Sequence, residues 1–265
     1  MNRLDSFRDF YARLVGAFRA VPREKFVGEG PWSAFTPTGY VPTLTDDPAV
    51  VYQDITLKLP GVEGPTNNGQ PSLHAACLAA LSPAKGETGV HVGAGTGYYT
   101  AILAELVGPE GSVIAYEIET PLADQAKRNL SSWPQATVEC RSGVAGSLPQ
   151  TDFIYVNAGA THPDESWLSA LNANGRLLFP LTPSEGVGGM LLLRKAAKNA
   201  FNARFVCPAM FISCAGARND VTGAALTDAF RSANIWAAAS FRLGSRPGDD
   251  CCFAAETWWL STSPV

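Results

Sequence analysis

Gly89-Val90-His91-Val92-Gly93-Ala94-Gly95-Thr96-Gly97-Tyr98 is the stretch whose reading decides the fold. An apolar run short enough for one strand meets three glycines at alternate positions. Residues 98–107 then carry helix-forming residues with apolar side chains at helical spacing. Strand, glycine turn and helix in that order build the crevice at the carboxyl end of a parallel strand, where an α/β sheet takes nucleotide-like ligands.

Working outward, the alternation continues. Residues 112–117 read as a second strand and 121–130 as a helix with Pro121 in its first turn, where a missing N–H does no harm. Residues 136–140, 153–156 and 176–179 read as further strands, with a helix over 166–171. Short connections between alternating strands and helices predict parallel pairing with helices on both faces. Upstream, residues 72–81 read as a helix with Leu73, Cys77, Leu78 and Leu81 inward. Residues 28–70 are punctuated by glycine and proline and read as loop. At the start, Leu4, Phe7, Phe10, Tyr11, Leu14, Val15 and Phe18 form one apolar helical stripe that Val21-Pro22 ends. Beyond residue 188 the pattern suits late antiparallel strands at 190–193 and 204–206, a helix over 220–233 and a last strand over 254–260. In that strand Trp258 and Trp259 would alternate between faces, one in the core and one available to cover an acceptor site. The expected architecture is a Rossmann-like α/β fold with a mostly parallel sheet. Residues 1–70 would form an N-terminal helix and cap, 71–216 a cofactor-binding core, and 217–265 a C-terminal extension.

The glycine spacing discriminates between cofactors. A dinucleotide site wants G-x-G-x-x-G or A; here the third glycine comes one residue early and Tyr98 fills the small position. The shorter turn suits S-adenosyl-L-methionine, which has no phosphate. Glu117 ends the second strand, where a carboxylate accepts hydrogen bonds from both ribose hydroxyls.

Several motifs resemble the protein-L-isoaspartate (D-aspartate) O-methyltransferase family over about residues 21–216. Val21-Pro22-Arg23-Glu24-Lys25-Phe26-Val27 matches its VPRE-x-FV opening, and Val51-Tyr52-x-Asp54 its AY-x-D segment. Gly69-Gln70-Pro71 falls on ISQP, and Val90 to Tyr98 on VLEIGTGSGY. Gly175 to Pro180 matches GGRLV-x-P, and Arg204 to Pro208 is similar to RFVPL. The chain departs from the family in three places: Gly69 stands for a serine, His91 for the acid of the first strand, and Ser142 for the aspartate of GDG. The resemblance implies a methyltransferase fold and a set of cofactor contacts at Gly69, Gln70, His91, Gly93, Ala94, Gly95, Thr96, Gly97, Glu117, Ser142, Gly143 and Val144. It implies O-methylation of a carboxylate in a peptide or a related acid. The alternatives are another small-molecule acceptor, or a degenerate protein that binds without catalysing.

Gln70, Ser72 and Asn157 are the candidates for contact with the reacting groups, the first two upstream of the glycine loop and the third at the end of the fourth strand. Asn157 lacks the prolines and aromatic residue that follow it in amino-methylating sites. His91 reads either as a base facing the crevice or as a hydrogen-bonded residue beneath the loop, and His74 as packing. The three histidines are too scattered for a metal site. Six cysteines fit neither a zinc ribbon nor a redox pair and read as buried reduced thiols. The net charge of -4 and the lack of any basic block argue against a nucleic-acid partner. No apolar run is long enough for a membrane span and no signal-peptide pattern opens the chain, so a cytoplasmic setting is expected. Oligomeric state is not legible.

Overall fold

A computed structural model describes residues 3–244 and 246–265, with side chains from residue 8 onward. The chain divides into two compact units, Met1–Ser142 and Gly143–Val265.

The first unit opens with α1 (Arg3–Ala20). Four short strands follow: β1 (Ser33–Thr36), β2 (Gly39–Pro42), β3 (Leu57–Lys58) and β4 (Asn67–Asn68). They pair antiparallel in the order β2-β1-β3-β4. The segment expected to be loop thus contains a small sheet. Strands of two to four residues are too short to show an alternating pattern against their glycines and prolines. Val27, Trp32, Val51 and Leu57 form the apolar cluster of this region.

Next come α2 (Pro71–Leu81), β5 (Thr88–Val92), α3 (Tyr98–Val107), β6 (Ser112–Glu117), α4 (Thr120–Asn129) and β7 (Ala136–Cys140). β5, β6 and β7 pair in parallel in that order, with Val90 beside Ile114 and Ala115 beside Val138. Parallel strands need long crossovers, which α3 and α4 supply. α3 is buried along its whole length except Glu105, because it has partners on more than one side. One of these is α1, through Phe10, Leu14 and Ala17. α4 buries only Leu122, Ala123 and Ala126.

Two expectations for the helices change. In α1, Tyr11 and Val15 are exposed, leaving Phe10, Leu14 and Ala17 as the inward stripe; Leu4 and Phe7 lie outside the described side chains. In α2, Leu73 is only half-buried, and His74 joins Cys77, Leu78 and Leu81 on the inward face.

The second unit holds β8 (Thr151–Val156), α5 (Glu165–Ala170), β9 (Leu171–Leu181), β10 (Gly188–Ala197), β11 (Ala200–Ala209), α6 (Asp220–Arg231), β12 (Ser240–Leu243), β13 (Cys251–Ala254) and β14 (Trp258–Ser261). β8 and β9 are parallel, bridged by α5. From β9 the pairing turns antiparallel, in the order β9-β10-β11-β12-β14-β13. The expected final strand is two strands, β13 and β14, joined by a turn. Both tryptophans are buried: Trp258 stacks on Phe241 at 5.3 Å and Trp259 lies under Arg242. The idea that one of them covers an acceptor is therefore corrected. Cys77 and Cys214 are buried, while Cys140 is exposed.

Trp167 on α5 is fully buried, and its indole N–H donates to the Gly143 carbonyl at 2.6 Å. Replacing it with alanine leaves a large void and an unmet carbonyl. Trp167→Ala is expected to cost about 3–5 kcal/mol of unfolding free energy in urea titration.

Candidate functional site

The glycine loop forms as its spacing requires. Gly95 has φ +55° and Gly97 φ +94°, values that side chains rarely adopt. A Cβ at Gly97 would also stand 3.1 Å from Leu130 and 3.4 Å from Ala126, so this glycine lets α3 begin close against α4.

The loop's amides are turned inward. Gly93 and Ala94 donate to the Tyr116 carbonyl at 2.9 and 3.2 Å, and Gly97 to the Ala94 carbonyl at 2.9 Å. Gly95 donates to Glu117 Oε2 at 2.7 Å. A pyrophosphate would need such groups facing it; these four are engaged within the protein.

Glu117 ends β6 and is 7% exposed. Its second oxygen, Oε1, accepts from the Glu119 amide at 3.0 Å. Burial raises its pKa, against the pull of the amides of Glu119, Gly95 and Ile118. An ionised carboxylate has about four acceptor sites, more than these three backbone donors occupy, so acceptor capacity remains. Two acceptor oxygens held rigid by backbone suit a vicinal diol, and in this respect the residues fit the ribose of S-adenosyl-L-methionine.

Beside this loop lies the segment Asn67 to Ser72. Tyr99, in the first turn of α3, ties it to the glycine loop by donating its hydroxyl to the Gly69 carbonyl at 2.7 Å. Leu59 makes a second link, since its Cδ1 would lie 3.2 Å from a Cβ at Gly95. The Thr96 hydroxyl donates to the Phe26 carbonyl at 2.5 Å, and Asn129 to the Thr96 carbonyl at 2.8 Å.

Gln70 and Ser72 are exposed and share one partner. Asp54 Oδ2 accepts from Gln70 Nε2 and from the Ser72 hydroxyl, each at 2.7 Å, and Oδ1 accepts the Ser72 amide at 2.8 Å. Gln70 makes no side-chain cap to α2, so Asp54 caps the helix from another segment. The bonds from Gln70 and Ser72 hold its carboxyl below the usual range, outweighing the opposing effect of desolvation.

Arg23 lies beneath, 1% exposed. Its guanidinium donates to the carbonyls of Val51, Gln53, Ile55, Asn68 and Gly69 at 2.8–3.3 Å, and to Asn68 Oδ1 at 2.9 Å. Burial lowers its pKa, while Tyr99, Tyr98 and Asp54 act the other way. Arg23, Asp54 and Tyr99 were missed as functional residues. The available signal was a lone arginine set between Val21-Pro22 and Phe26-Val27, and an aspartate sixteen residues before Gln70.

His91 is fully buried, with Nδ1 2.8 Å from the Thr100 hydroxyl oxygen. Desolvation holds its pKa down to about 3, so it is neutral. Ser142 is half-buried at the end of the first unit, and its carbonyl accepts from Arg141 at 3.2 Å.

The remaining candidates belong to the second unit. Gly143 and Val144 are buried, and Asn157 is half-buried after β8. The loop that Asn157 opens is held by residues 212–217. Gly159 donates to the Ile212 carbonyl at 2.7 Å, Cys214 to that of Gly159 at 2.9 Å, and Thr161 to that of Ala217 at 3.0 Å. Among the described residues no acidic, cysteine or histidine group could hold a metal ion, and no helix is long and apolar enough to cross a membrane.

A glycine turn between a parallel strand and a helix, with a buried acid ending the next strand, defines the Rossmann-like methyltransferase class. The model of the protein-L-isoaspartate(D-aspartate) O-methyltransferase family matches residues 11–219, and the chain belongs to that family. A protein-L-isoaspartate O-methyltransferase of Methanopyrus kandleri is 34% identical over 174 residues, covering 64% of this chain and 69% of the relative. One from Thermotoga maritima is 29% identical over 173 residues, covering 63% of this chain. The chain spans half the length of that Thermotoga relative. The fold is shared with a Plasmodium falciparum protein described as a candidate protein-L-isoaspartate O-methyltransferase, solved in complex with S-adenosyl-L-homocysteine. That match has a TM-score of 0.61 at 16% identity and covers 82% of this chain and 99% of the other.

Two outcomes are expected. Arg23→Met strands the buried carbonyls and should lower stability by about 3 kcal/mol or more in urea titration. Because the carboxyl of Asp54 is held below its ordinary 3.8, the folded state binds fewer protons than the unfolded one in the window between the two values. Asp54 therefore contributes stability that is present above 3.8 and lost as pH falls through the folded value. Asp54→Asn should flatten the acid limb of urea midpoints measured as pH falls through 3.8 and below; an unchanged limb would refute this role.

Proposed function

We propose that this chain is an S-adenosyl-L-methionine-dependent methyltransferase that esterifies a carboxylate in a peptide or a related acid. One observation carries the reading. The Glu117 carboxylate is fixed by the Gly95 and Glu119 amides and keeps acceptor capacity. Family membership supports the same conclusion.

The cofactor, when bound, supplies an electrophilic methyl group on a sulfonium. The chain's own part is to hold donor and acceptor in line and to exclude water. Gly69 and Gln70, Gly93 to Gly97, Glu117, and Ser142 to Val144 are the residues we assign to the cofactor. His91 supports the loop from beneath as an uncharged group. Gln70, Ser72 and Asn157 are assigned to the acceptor side. Asp54 sets the direction of the first two. A carboxylate acceptor is already ionised near neutral pH, so no general base is required. This agrees with His91, which burial makes a poor proton acceptor.

We read residues 1–70 as the cap of this site, 71–216 as its core and 217–265 as an appended extension. The partner is a peptide or small-molecule acceptor in the cytoplasm, with no nucleic acid.

Calorimetric titration with S-adenosyl-L-methionine tests the reading. Glu117→Ala should weaken binding at least tenfold, about 1.4 kcal/mol. Wild-type affinity should fall on acidification beginning above pH 4.5, since burial raises the Glu117 pKa from that value and its charged form is the diol acceptor. Transfer of labelled methyl to an isoaspartyl peptide should follow. Well-folded protein that binds no cofactor would overturn the proposal.

A further inference from the structure

The peptide that joins Thr96 to Gly97 is bonded at both ends. Its amide donates to the Ala94 carbonyl at 2.9 Å, which closes the glycine turn. Its carbonyl accepts from Asn129 Nδ2 at 2.8 Å, a side chain on the last residue of α4. The first carbonyl of the α3 ladder is that of Gly97, which takes the Ala101 amide. The Thr96 carbonyl therefore lies outside the ladder. Thr96 is 3% exposed, so this carbonyl depends on a partner inside the protein.

Asn129 is itself held. Its Oδ1 accepts from Gln125 Nε2 at 2.7 Å, and Gln125 Oε1 accepts from Arg128 at 2.8 Å. Helical spacing brings the three side chains together on one face of α4. The sense of the relay is forced from both ends, because a carbonyl can only accept and a guanidinium can only donate. Asn129 must turn its NH2 to the loop and its oxygen to Gln125. Gln125 must then turn its NH2 to Asn129. Bonds that run in one sense along a chain polarise and strengthen one another.

The turn closed in this way contains Gly95, whose amide braces Glu117 Oε2 at 2.7 Å. A turn that opens at the Thr96–Gly97 peptide frees Gly95, and the brace goes with it.

We propose that Asn129 is a positioning residue for the cofactor, acting through the Thr96 carbonyl, with Gln125 setting the direction of its amide. The proposal rests on the reading of the glycine loop as an S-adenosyl-L-methionine site. Asn129 touches no ligand. It holds the loop in the shape in which Gly95 and Glu117 meet the cofactor.

Asn129→Leu keeps the volume and removes the donor. Amide hydrogen exchange of the cofactor-free protein, followed by NMR, reads the positioning half. The Gly95 and Gly97 amides should exchange about tenfold faster in the variant, the scale of one lost hydrogen bond. The amides at the centre of β6 should keep their rates. Unchanged rates at both glycines, or a uniform acceleration across the first unit, would overturn this half. If Asn129→Leu does not fold, Asn129→Asp near neutral pH decides by the same rates, since a carboxylate cannot donate.

Calorimetric titration with S-adenosyl-L-homocysteine, which needs no turnover, reads the effect on binding. Asn129→Leu should weaken affinity about tenfold and Gln125→Leu about threefold. In the Asn129→Leu background Gln125→Leu should cost nothing more, because Gln125 acts only through Asn129. Equal affinity of wild type and Asn129→Leu, or the same cost of Gln125→Leu in both backgrounds, would overturn this half. Wild type that binds no S-adenosyl-L-homocysteine would overturn it together with the proposed function, and the glycine exchange rates would still decide the positioning half.

Discussion

A guanidinium removed from water is costly unless its donors are met. Arg23 solves that problem with five backbone carbonyls and one amide oxygen, without a carboxylate in direct contact. The carbonyls come from Val51 to Ile55 and from Asn68 and Gly69, two irregular stretches with little sheet bonding of their own. Each stretch needs donors and the arginine needs acceptors, so each is satisfied only when the other is in place. Asp54 sits between the bonded carbonyls of Gln53 and Ile55, which places its carboxylate where it caps α2. The geometry of Gln70 and Ser72 therefore goes back to Arg23 through two steps.

Above this layer charge is scarce and its placement is deliberate. His91 and His74 are buried and held neutral by desolvation. Glu117 is the one titratable group among the residues assigned to the cofactor, and its oxygens are braced by backbone amides. With both imidazoles neutral and the Arg23 guanidinium engaged by carbonyls, Glu117 is the charged side chain that touches the glycine turn directly. That arrangement suits a ligand with a hydroxyl pair and a positive centre better than one with phosphates.

Much of this was legible in the sequence, for physical reasons. β5, α3 and β6 appear where their patterns predict, since buried parallel strands are continuous apolar runs and the glycine turn has a fixed spacing. The final hairpin was read as one strand because the turn between Ala254 and Trp258 carries no glycine or proline. The small sheet of β1 to β4 reads as loop because its strands are too short to establish a period. Glu117 could be assigned from its position alone, whereas the partners of Gln70 and Ser72 could not. A buried arginine bonded to carbonyls leaves no pattern in sequence, as its partners are backbone atoms of any residue.

The spacing of the Arg23 contacts has a kinetic meaning. Its partners lie 28, 30, 32, 45 and 46 residues along the chain. The β9, β10 and β11 meander, by contrast, pairs across short turns. Loop closure over such distances costs entropy before any bond repays it. The hub cannot bond before residues 51–55 and 68–69 have both been brought to Arg23. It joins segments that no helix or long strand of the first unit links, and so ties the lifetime of the cap to a single side chain.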